Sequence, residues 1–198
     1  MSKIAFVGGK LVDGTGAAPV EDSLVLVDDK KIAYAGPRTE VPEGYEVRDI
    51  QGRTIMPGLI DTHLHFSGNL TDNDNDWVIE SVAQKQACAV KQSWDALSHG
   101  LTTVCEIGRN GIAIRDLVNM GVMEGPRIYA TGLGFCRVAG HGDCHQLPQE
   151  ISKNGHPWGD QVDGPWDLRK AVRRRLRENP DAIKIWATGG GIWRWDSD

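Results

Sequence analysis

Two histidines at the end of an apolar segment are the residues of this chain best suited to chemistry. The segment reads IMPGLIDTHLHFSG over residues 55–68, and it contains His63 and His65. Side chains alternate between the two faces of a β-strand, so both imidazoles are predicted to point to the same side. Imidazole is a preferred ligand of borderline metal ions such as zinc, and this pair would supply two of the three or four ligands required. Hydrogen-bonded core histidines are the alternative interpretation.

Asp61 lies on the same predicted face, two residues before His63. A carboxylate in this position can accept a hydrogen bond from the second ring nitrogen of a metal-bound histidine. The alternative is a structural hydrogen bond deeper in the strand.

Lys184 is the second unusual residue, because it lies between Ile183 and Ile185 in the segment AIKIWATGG. Alternation places Lys184 on the face opposite both isoleucines, so it points inward if they pack against helices. A buried lysine needs a partner or has a lowered pKa, and a neutral amine is a nucleophile. A salt bridge, a Schiff base, a phosphate contact and chemical modification all remain open for this residue.

A histidine between two glycines occurs in the loop segment GHGDCHQLPQE. We expect this residue, His141, to contact a substrate, and the alternative is a solvent-exposed loop histidine. A structural zinc site built from His141, Cys144, His145 and Cys136 is a further interpretation, although paired Cys-x-x-Cys spacing is missing. His156 lies further along the chain.

The glycine-rich run Thr188–Gly191 follows the segment that carries Lys184. Backbone N–H groups of such a run can bind a phosphate. No Gly-Lys-Ser/Thr motif follows, so a tight turn that needs glycine for positive φ or close approach is the alternative.

The composition is that of a globular protein of one or two domains. The chain has 198 residues, 40% of them hydrophobic and 25% charged, with a formal net charge of −5. This acidity argues against a nucleic-acid partner, and the basic segment LRKAVRRRLRENP is predicted to be a solvated helix face around Leu168, Val172 and Leu176. No segment reaches the ~18 apolar residues of a membrane span and no leader segment precedes the first strand, so we expect a cytoplasmic protein without a membrane partner.

The four cysteines are predicted to be reduced thiols in separate elements, each serving as a small buried hydrophobic residue. They are Cys88, Cys105, Cys136 and Cys144.

The elements that must position these residues fall into two parts. Residues 1–55 have the pattern of a small all-β unit, with a hairpin at VDDKKI. After Pro57, strands alternate with helices: a first strand near 57–65, a helix from about Trp77 to His99 ended by Gly100, a strand LTTVCEI, a helix IAIRDLVNMG, a strand PRIYATG, a loop of some thirty residues, a helix opened by Pro165, and a fourth strand AIKIWATGGG. This order predicts an α/β fold with a parallel sheet whose functional groups lie at the carboxyl ends of the strands. Four such units are half of an eight-stranded (β/α)8 TIM-like barrel.

Taken together, PGLIDTHLHF after a small β domain and a strand lysine in IKIWATGGG resemble the amidohydrolase superfamily. The segments VDGTG, DDKKIAYAG and MPGLID also resemble the family's amino-terminal β-sandwich. The resemblance implies a β-sandwich over residues 1–55 and strands one to four of the barrel over residues 56–198. Lys-x-x-x-Thr-Gly-Gly and GHG are most similar to the branch containing imidazolonepropionase-related enzymes and to dipeptidases and carboxypeptidases acting on prolyl or N-acyl amino acids.

The resemblance also implies the chemistry. In the family, the two histidines after the first strand bind a metal, which assigns His63 and His65 as ligands. Lys184 would be carboxylated by carbon dioxide and bridge two divalent metal ions, usually zinc. Hydroxide formed on the metals would hydrolyse an amide-type C–N bond in a cyclic amide, a dipeptide or an N-acyl amino acid.

In the family, two further histidine ligands come from strands five and six, and a catalytic aspartate is also required. We expect these residues beyond Asp198. No catalytic base is therefore assigned, and neither Asp196 nor Asp198 takes that role. The sequence is therefore expected to be truncated. The alternative is a catalytically incomplete fragment that binds a partner or forms a homo-oligomer through its open sheet edge.

Overall fold

The structure, a computed structural model, describes residues 2–69, 71, 79–145, 147–154 and 159–190. The chain separates into two compact units, Met1–Gly58 and Leu59–Asp198. The fold is mixed α/β, as the sequence predicts. The division at residue 55 into a β-sandwich and a barrel stays a prediction. None of the helices in these residues has the length and apolar character needed to cross a membrane.

The first unit contains six short strands: β1 Lys3–Val7, β2 Lys10–Leu11, β3 Ser23–Asp28, β4 Lys31–Pro37, β5 Glu46–Asp49 and β6 Thr54–Ile55. Four of them form a sheet in the order β4-β3-β1-β5, and β2 pairs with β6. The predicted hairpin is confirmed, because β3 and β4 are antiparallel and Asp29 at the tip has φ +52°. The core of this unit contains Ala5, Val7, Leu24 and Leu26.

The second unit alternates strands and helices: β7 Leu59–Leu64, α1 Val82–Ser98, β8 Leu101–Glu106, α2 Gly111–Asn119, β9 Arg127–Ala130, β10 Gly134–Cys136, α3 Gln149–Asn154, β11 Gly159–Gln161 and α4 Gly164–Leu176. Strands β7, β8 and β9 form a parallel sheet in that order. The predicted order of the first three strands and their helices is confirmed. The predicted loop contains three further elements, β10, α3 and β11.

One face of the parallel sheet packs against α1 and α2 and forms the core. Phe66, Val104, Ile128 and Ala130 are buried there, with Leu64 packed against them. Alternation then sends the neighbouring side chains of each strand to the opposite face. His63, His65, Cys105 and Tyr129 lie on that opposite face, because each precedes or follows a core residue.

Helix α1 begins and ends where local chemistry dictates. Ser81 caps the first turn in a capping box with Gln84, and Gly100 follows the last turn with φ +90°. The predicted end at Gly100 is confirmed. The predicted start near Trp77 is wrong, because Ser81 has an extended backbone and the helix begins at Val82; Trp77 itself lies outside the described residues.

The predicted fourth strand is only partly formed. Among the described residues of 182–190, one bridge joins Ile185 to Phe135 of β10. The N–H of Phe135 donates to the carbonyl of Lys184 at 2.9 Å, and the N–H of Trp186 donates to the carbonyl of Phe135 at 2.9 Å. The segment is therefore extended and parallel to β10, but it forms too few bonds to count as a regular strand.

Helix α4 opens at Pro165 as predicted, but its buried face differs from the prediction. Leu176 is exposed, and Arg175 is buried in its place. The Arg175 guanidinium can be buried because Asp160, at 2.9 Å, and Glu178 pair with it.

The prediction of four reduced cysteines is confirmed, since all four are free thiols. Cys136 and Cys144 are buried, whereas Cys88 and Cys105 are half-buried. Burial raises the pKa of the Cys136 thiol to about 12, so this cysteine stays protonated.

Candidate active site

The two histidines of β7 form a close pair at the carboxyl end of the parallel sheet. The ring centroids of His63 and His65 are 5.3 Å apart with an interplanar angle of 73°. Both side chains are exposed on the face opposite the core. The prediction that both imidazoles share one space is confirmed.

An irregularity in the ladder between β7 and β8 lies beside this pair. The register shifts between Asp61 and Leu64, and in this interval the N–H of His63 donates to Oδ1 of Asp61 at 2.9 Å. Asp61 therefore satisfies a backbone donor of its own strand, as in the structural alternative. Register shifts of this kind change the direction of the side chains that they carry.

The surroundings of His65 act on the pKa of its ring. The pKa is lowered, first by desolvation from the surrounding protein and then by the nearby charges of His63 and Lys184, while the backbone of Ile107, which follows β8, opposes the shift. A neutral imidazole is the form that binds a metal ion. Sequence patterns could not indicate Ile107, because every residue carries a backbone carbonyl.

Lys184 reaches the same region from the extended segment beside β10. It is half-buried, and its charge acts on both His65 and Cys105. The structure therefore brings Lys184 to the face that carries the histidines. The condition that both neighbouring isoleucines pack against helices is not met, because Ile185 is 53% exposed.

Cys105 of β8 is a neighbour of this site that sequence reasoning did not single out. Its pKa is raised by burial and by the charges of Glu106 and Asp181, while Lys184 opposes the rise. The alternation of β8 was the available signal, since Val104 and Glu106 are both buried on the core side.

The structure brings the GHG and TGGG motifs together. The His141 ring stands edge-on to Trp186, with centroids 6.2 Å apart. A Cβ on Gly190 would lie 2.1 Å from Nδ1 of His141, and Gly190 has φ +92°. Positive φ and close approach both require glycine here, as in the tight-turn interpretation. Gly191 lies outside the described residues, and phosphate binding by this run stays a prediction.

The loop that carries His141 is fixed by a buried carboxylate. Oδ1 of Asp143 accepts hydrogen bonds from Ser152 Oγ at 2.7 Å and from Gln161 Nε2 at 2.6 Å. Its Oδ2 accepts the N–H of Ala139 at 2.8 Å. Asp143 thus links the loop to α3 and β11.

The alternative of a structural zinc site in this loop is wrong for the described part of the chain. Within it, no three His, Cys, Asp or Glu side chains are grouped so that they could hold a metal ion. Asp143 instead binds neutral donors, and Cys136 and Cys144 are buried as hydrophobic residues. His156, Asp196 and Asp198 lie outside the described residues.

A buried carboxyl group supports the turn behind the histidines. Glu106 is completely buried, and it accepts the N–H of Phe66 at 3.2 Å and that of Gly108 at 3.1 Å. Burial raises the pKa of Glu106 to about 7, against the opposing effect of backbone donors that include Gly111. The carboxyl group joins the end of β7 to the start of α2.

We expect the stability of the second unit to fall as the pH rises from about 4.5 to about 7. The unfolded chain loses the Glu106 proton near pH 4.5, whereas the folded chain keeps it to about 7. Over that interval the folded state binds more protons, so the free energy of unfolding decreases by about 3 kcal/mol in total. Urea denaturation of wild-type protein and Glu106→Gln at about pH 5 and about pH 8 measures this contribution.

The Glu106→Gln variant should lose this part of the pH dependence, while Glu124→Gln, a change at an exposed glutamate, should keep it. A pH dependence in Glu106→Gln equal to that of wild type would contradict the assignment.

Comparison with known proteins identifies the family. The model of the amidohydrolase family matches residues 54–191. Ochratoxinase from Aspergillus niger is 32% identical, with 96% of this chain and 43% of that protein covered. A 5-methylthioadenosine/S-adenosylhomocysteine deaminase from Symbiobacterium thermophilum is 29% identical, with 94% and 46% covered. An imidazolonepropionase from Caulobacter sp. is 50% identical over 26% of this chain and 13% of its own length.

Solved structures give the same result. The crystal structure of A. niger ochratoxinase superposes with a TM-score of 0.78 at 26% identity, covering 99% of this chain and 49% of that one. A prolidase crystallised with N-methylphosphonate-L-proline superposes with a TM-score of 0.82 at 26% identity, covering 98% and 49%. The chain therefore spans about half the length of the relatives that it matches. Since the family model covers most of its residues, including the strand with both histidines and the segment with Lys184, the chain belongs to the amidohydrolase family.

Proposed function

We propose that this chain supplies the first four strands of a (β/α)8 barrel, preceded by a β-sandwich, in a metal-dependent hydrolase that cleaves amide-type C–N bonds. The observation that carries the proposal is the grouping of three side chains at one end of the sheet. The His63 and His65 rings lie side by side, and the charge of Lys184 acts on His65.

The named activities of the relatives support hydrolysis. They include an ochratoxinase, an imidazolonepropionase and a Xaa-Pro dipeptidase, the last superposing with a TM-score of 0.78 at 28% identity over 96% of this chain and 48% of that one. For this chain we infer a substrate in the same chemical range, namely a cyclic amide, a dipeptide or an N-acyl amino acid.

The histidine pair fits a metal ion. Ring centroids 5.3 Å apart allow one nitrogen of each ring to reach a shared ion at the usual zinc–nitrogen distance of about 2.1 Å. The lowered pKa of His65 favours its neutral ring, which is the form that binds a metal ion. Divalent ions held there, with zinc as the proposed metal, would supply Lewis acidity toward the scissile carbonyl and toward a water molecule.

Lys184 would complete this set after reaction with carbon dioxide. Its neutral amine forms an N–C bond to the carbon of CO2 and releases one proton, which leaves a carbamate with an anionic oxygen donor. His141 would orient the substrate, because its ring lies in a loop fixed by Asp143. We assign no general base within the described residues.

The test is zinc binding by the full 198-residue chain with and without bicarbonate. We expect bicarbonate to increase zinc affinity in wild-type protein and to have no effect in Lys184→Met. The matched control is Lys170→Met, since Lys170 is an exposed lysine on α4.

Zinc affinity that is independent of bicarbonate and unchanged in Lys184→Met would overturn the role of the lysine. A chain that binds no zinc and forms an oligomer of one size would instead support a non-catalytic binding or self-associating domain.

A further inference from the structure

Three glycines from separate segments lie close to the six-membered ring of the Trp186 indole. A Cβ on Gly134 of β10 or on Gly159 of β11 would lie 2.6 Å from Cζ3 of the indole. A Cβ on Gly142 would lie 2.9 Å from its Cε3. These separations are too short for any side chain, so each segment approaches the indole with its backbone.

The reason for glycine at these positions is space and not backbone conformation. None of Gly134, Gly142 and Gly159 has a positive φ, so other residues could adopt the same backbone conformations. A side chain at any of the three would meet the indole; one at position 134 would also lie 2.7 Å from Cγ of Lys184, and one at position 142 would lie 2.9 Å from Sγ of Cys136. The three positions are therefore shaped around Trp186, and we call them the glycine cradle.

The indole seated in the glycine cradle contacts two side chains of the candidate active site. Nζ of Lys184 lies 5.4 Å from the centroid of the Trp186 ring system. The His141 ring meets the same indole edge-on. Lys184 and Trp186 are two residues apart on an extended backbone, so they share a face, and Phe135 anchors that backbone on both sides of Ile185.

We infer that Trp186 is a positioning residue, which the glycine cradle fixes so that it sets the places of Lys184 and His141 relative to each other. This inference rests on the proposed function for the role of Lys184. The Asp143 contacts hold the loop of His141 from one side, and the indole limits its ring from the other. Removing the indole would leave the backbone of both residues in place and free their side chains.

The experiment compares Trp186→Ala and Trp186→Phe with wild-type protein and with Trp166→Ala, whose side chain is 76% exposed on α4. In Trp186→Ala we expect the bicarbonate-dependent part of zinc affinity to fall by about 10-fold or more, in the range that outer contacts of metal sites provide. Trp186→Phe should restore part of it, and Trp166→Ala should not differ from wild type.

A second readout does not depend on metal. The edge-on contact places His141 in the ring-current field of the indole, so its imidazole NMR signals should shift in Trp186→Ala and stay unchanged in Trp166→Ala. If Trp186→Ala fails to fold, Gly159→Ala gives the same test, because its Cβ would lie 2.6 Å from Cζ3 of the indole and so displace the ring, which should move the His141 signals in folded protein.

The outcomes separate this inference from the proposed function. If bicarbonate increases the zinc affinity of wild-type protein and of Trp186→Ala equally, the positioning role of Trp186 is overturned. The proposed function is not affected by that result. Wild-type protein without a bicarbonate response would overturn the function, and the His141 signals would then decide the contact with Trp186. Unshifted signals in folded Trp186→Ala and Gly159→Ala would reject it.

Discussion

Replacing His65 by alanine is expected to lower the zinc affinity of the chain by about 100-fold or more. Loss of an outer contact of a metal site already costs about 10–100-fold, and removal of a direct ligand costs more. His63→Ala should have a similar effect, because its ring is the other member of the pair. Competition with a chromophoric chelator, at fixed pH and bicarbonate, measures both affinities.

The control for these variants is His99→Ala. His99 lies at the end of α1, just before β8, and thus at the end of the sheet opposite the histidine pair. Its replacement should leave the zinc affinity unchanged. Equal affinities for wild type, His63→Ala and His65→Ala would show that zinc binds elsewhere.

Replacing Gly68 by alanine is expected to destabilise the second unit by roughly 2–5 kcal/mol. Gly68 has φ +77°, which costs an alanine about 1–2 kcal/mol. Its new Cβ would also lie 2.1 Å from the carbonyl oxygen of Lys85 in the first turn of α1, and such overpacking costs about 1–3 kcal/mol more. The N–H of Gly68 donates to Gln92 at 2.9 Å, so the loop has little freedom to move away.

The matched comparison is Gly121→Ala. Gly121 has a similar φ of +70°, and no atom lies within 4 Å of its added Cβ. This variant should lose only about 1–2 kcal/mol, the cost of the left-handed conformation alone. Urea denaturation of both variants gives the difference, and equal losses would mean that the contact with α1 is not rigid.

The part of the site that the sequence predicts correctly depends on local geometry. Alternation along one strand suffices to put His63 and His65 on the same face, and the observed ring pair confirms it. The end of α1 at Gly100 and the opening of α4 at Pro165 likewise depend on the conformational preferences of single residues.

The remainder depends on contacts between distant segments, which no local pattern encodes. Strands β10 and β11 have three residues each, and they form by pairing with each other across the predicted loop. Arg175 is buried because Asp160, fifteen residues earlier, pairs with it. The group that raises the pKa of His65 against its desolvation includes the backbone of Ile107, for which side-chain type carries no signal.

The glycine cradle has a consequence for the comparison of related sequences. Positions 134, 142, 159 and 186 share one volume, so the residues there cannot change independently. In a relative with a smaller residue in place of Trp186, a side chain at position 159 becomes tolerable, whereas side chains at positions 134 and 142 would still meet Lys184 and Cys136. Positions 159 and 186 should therefore covary in an alignment, although they lie far apart in the chain.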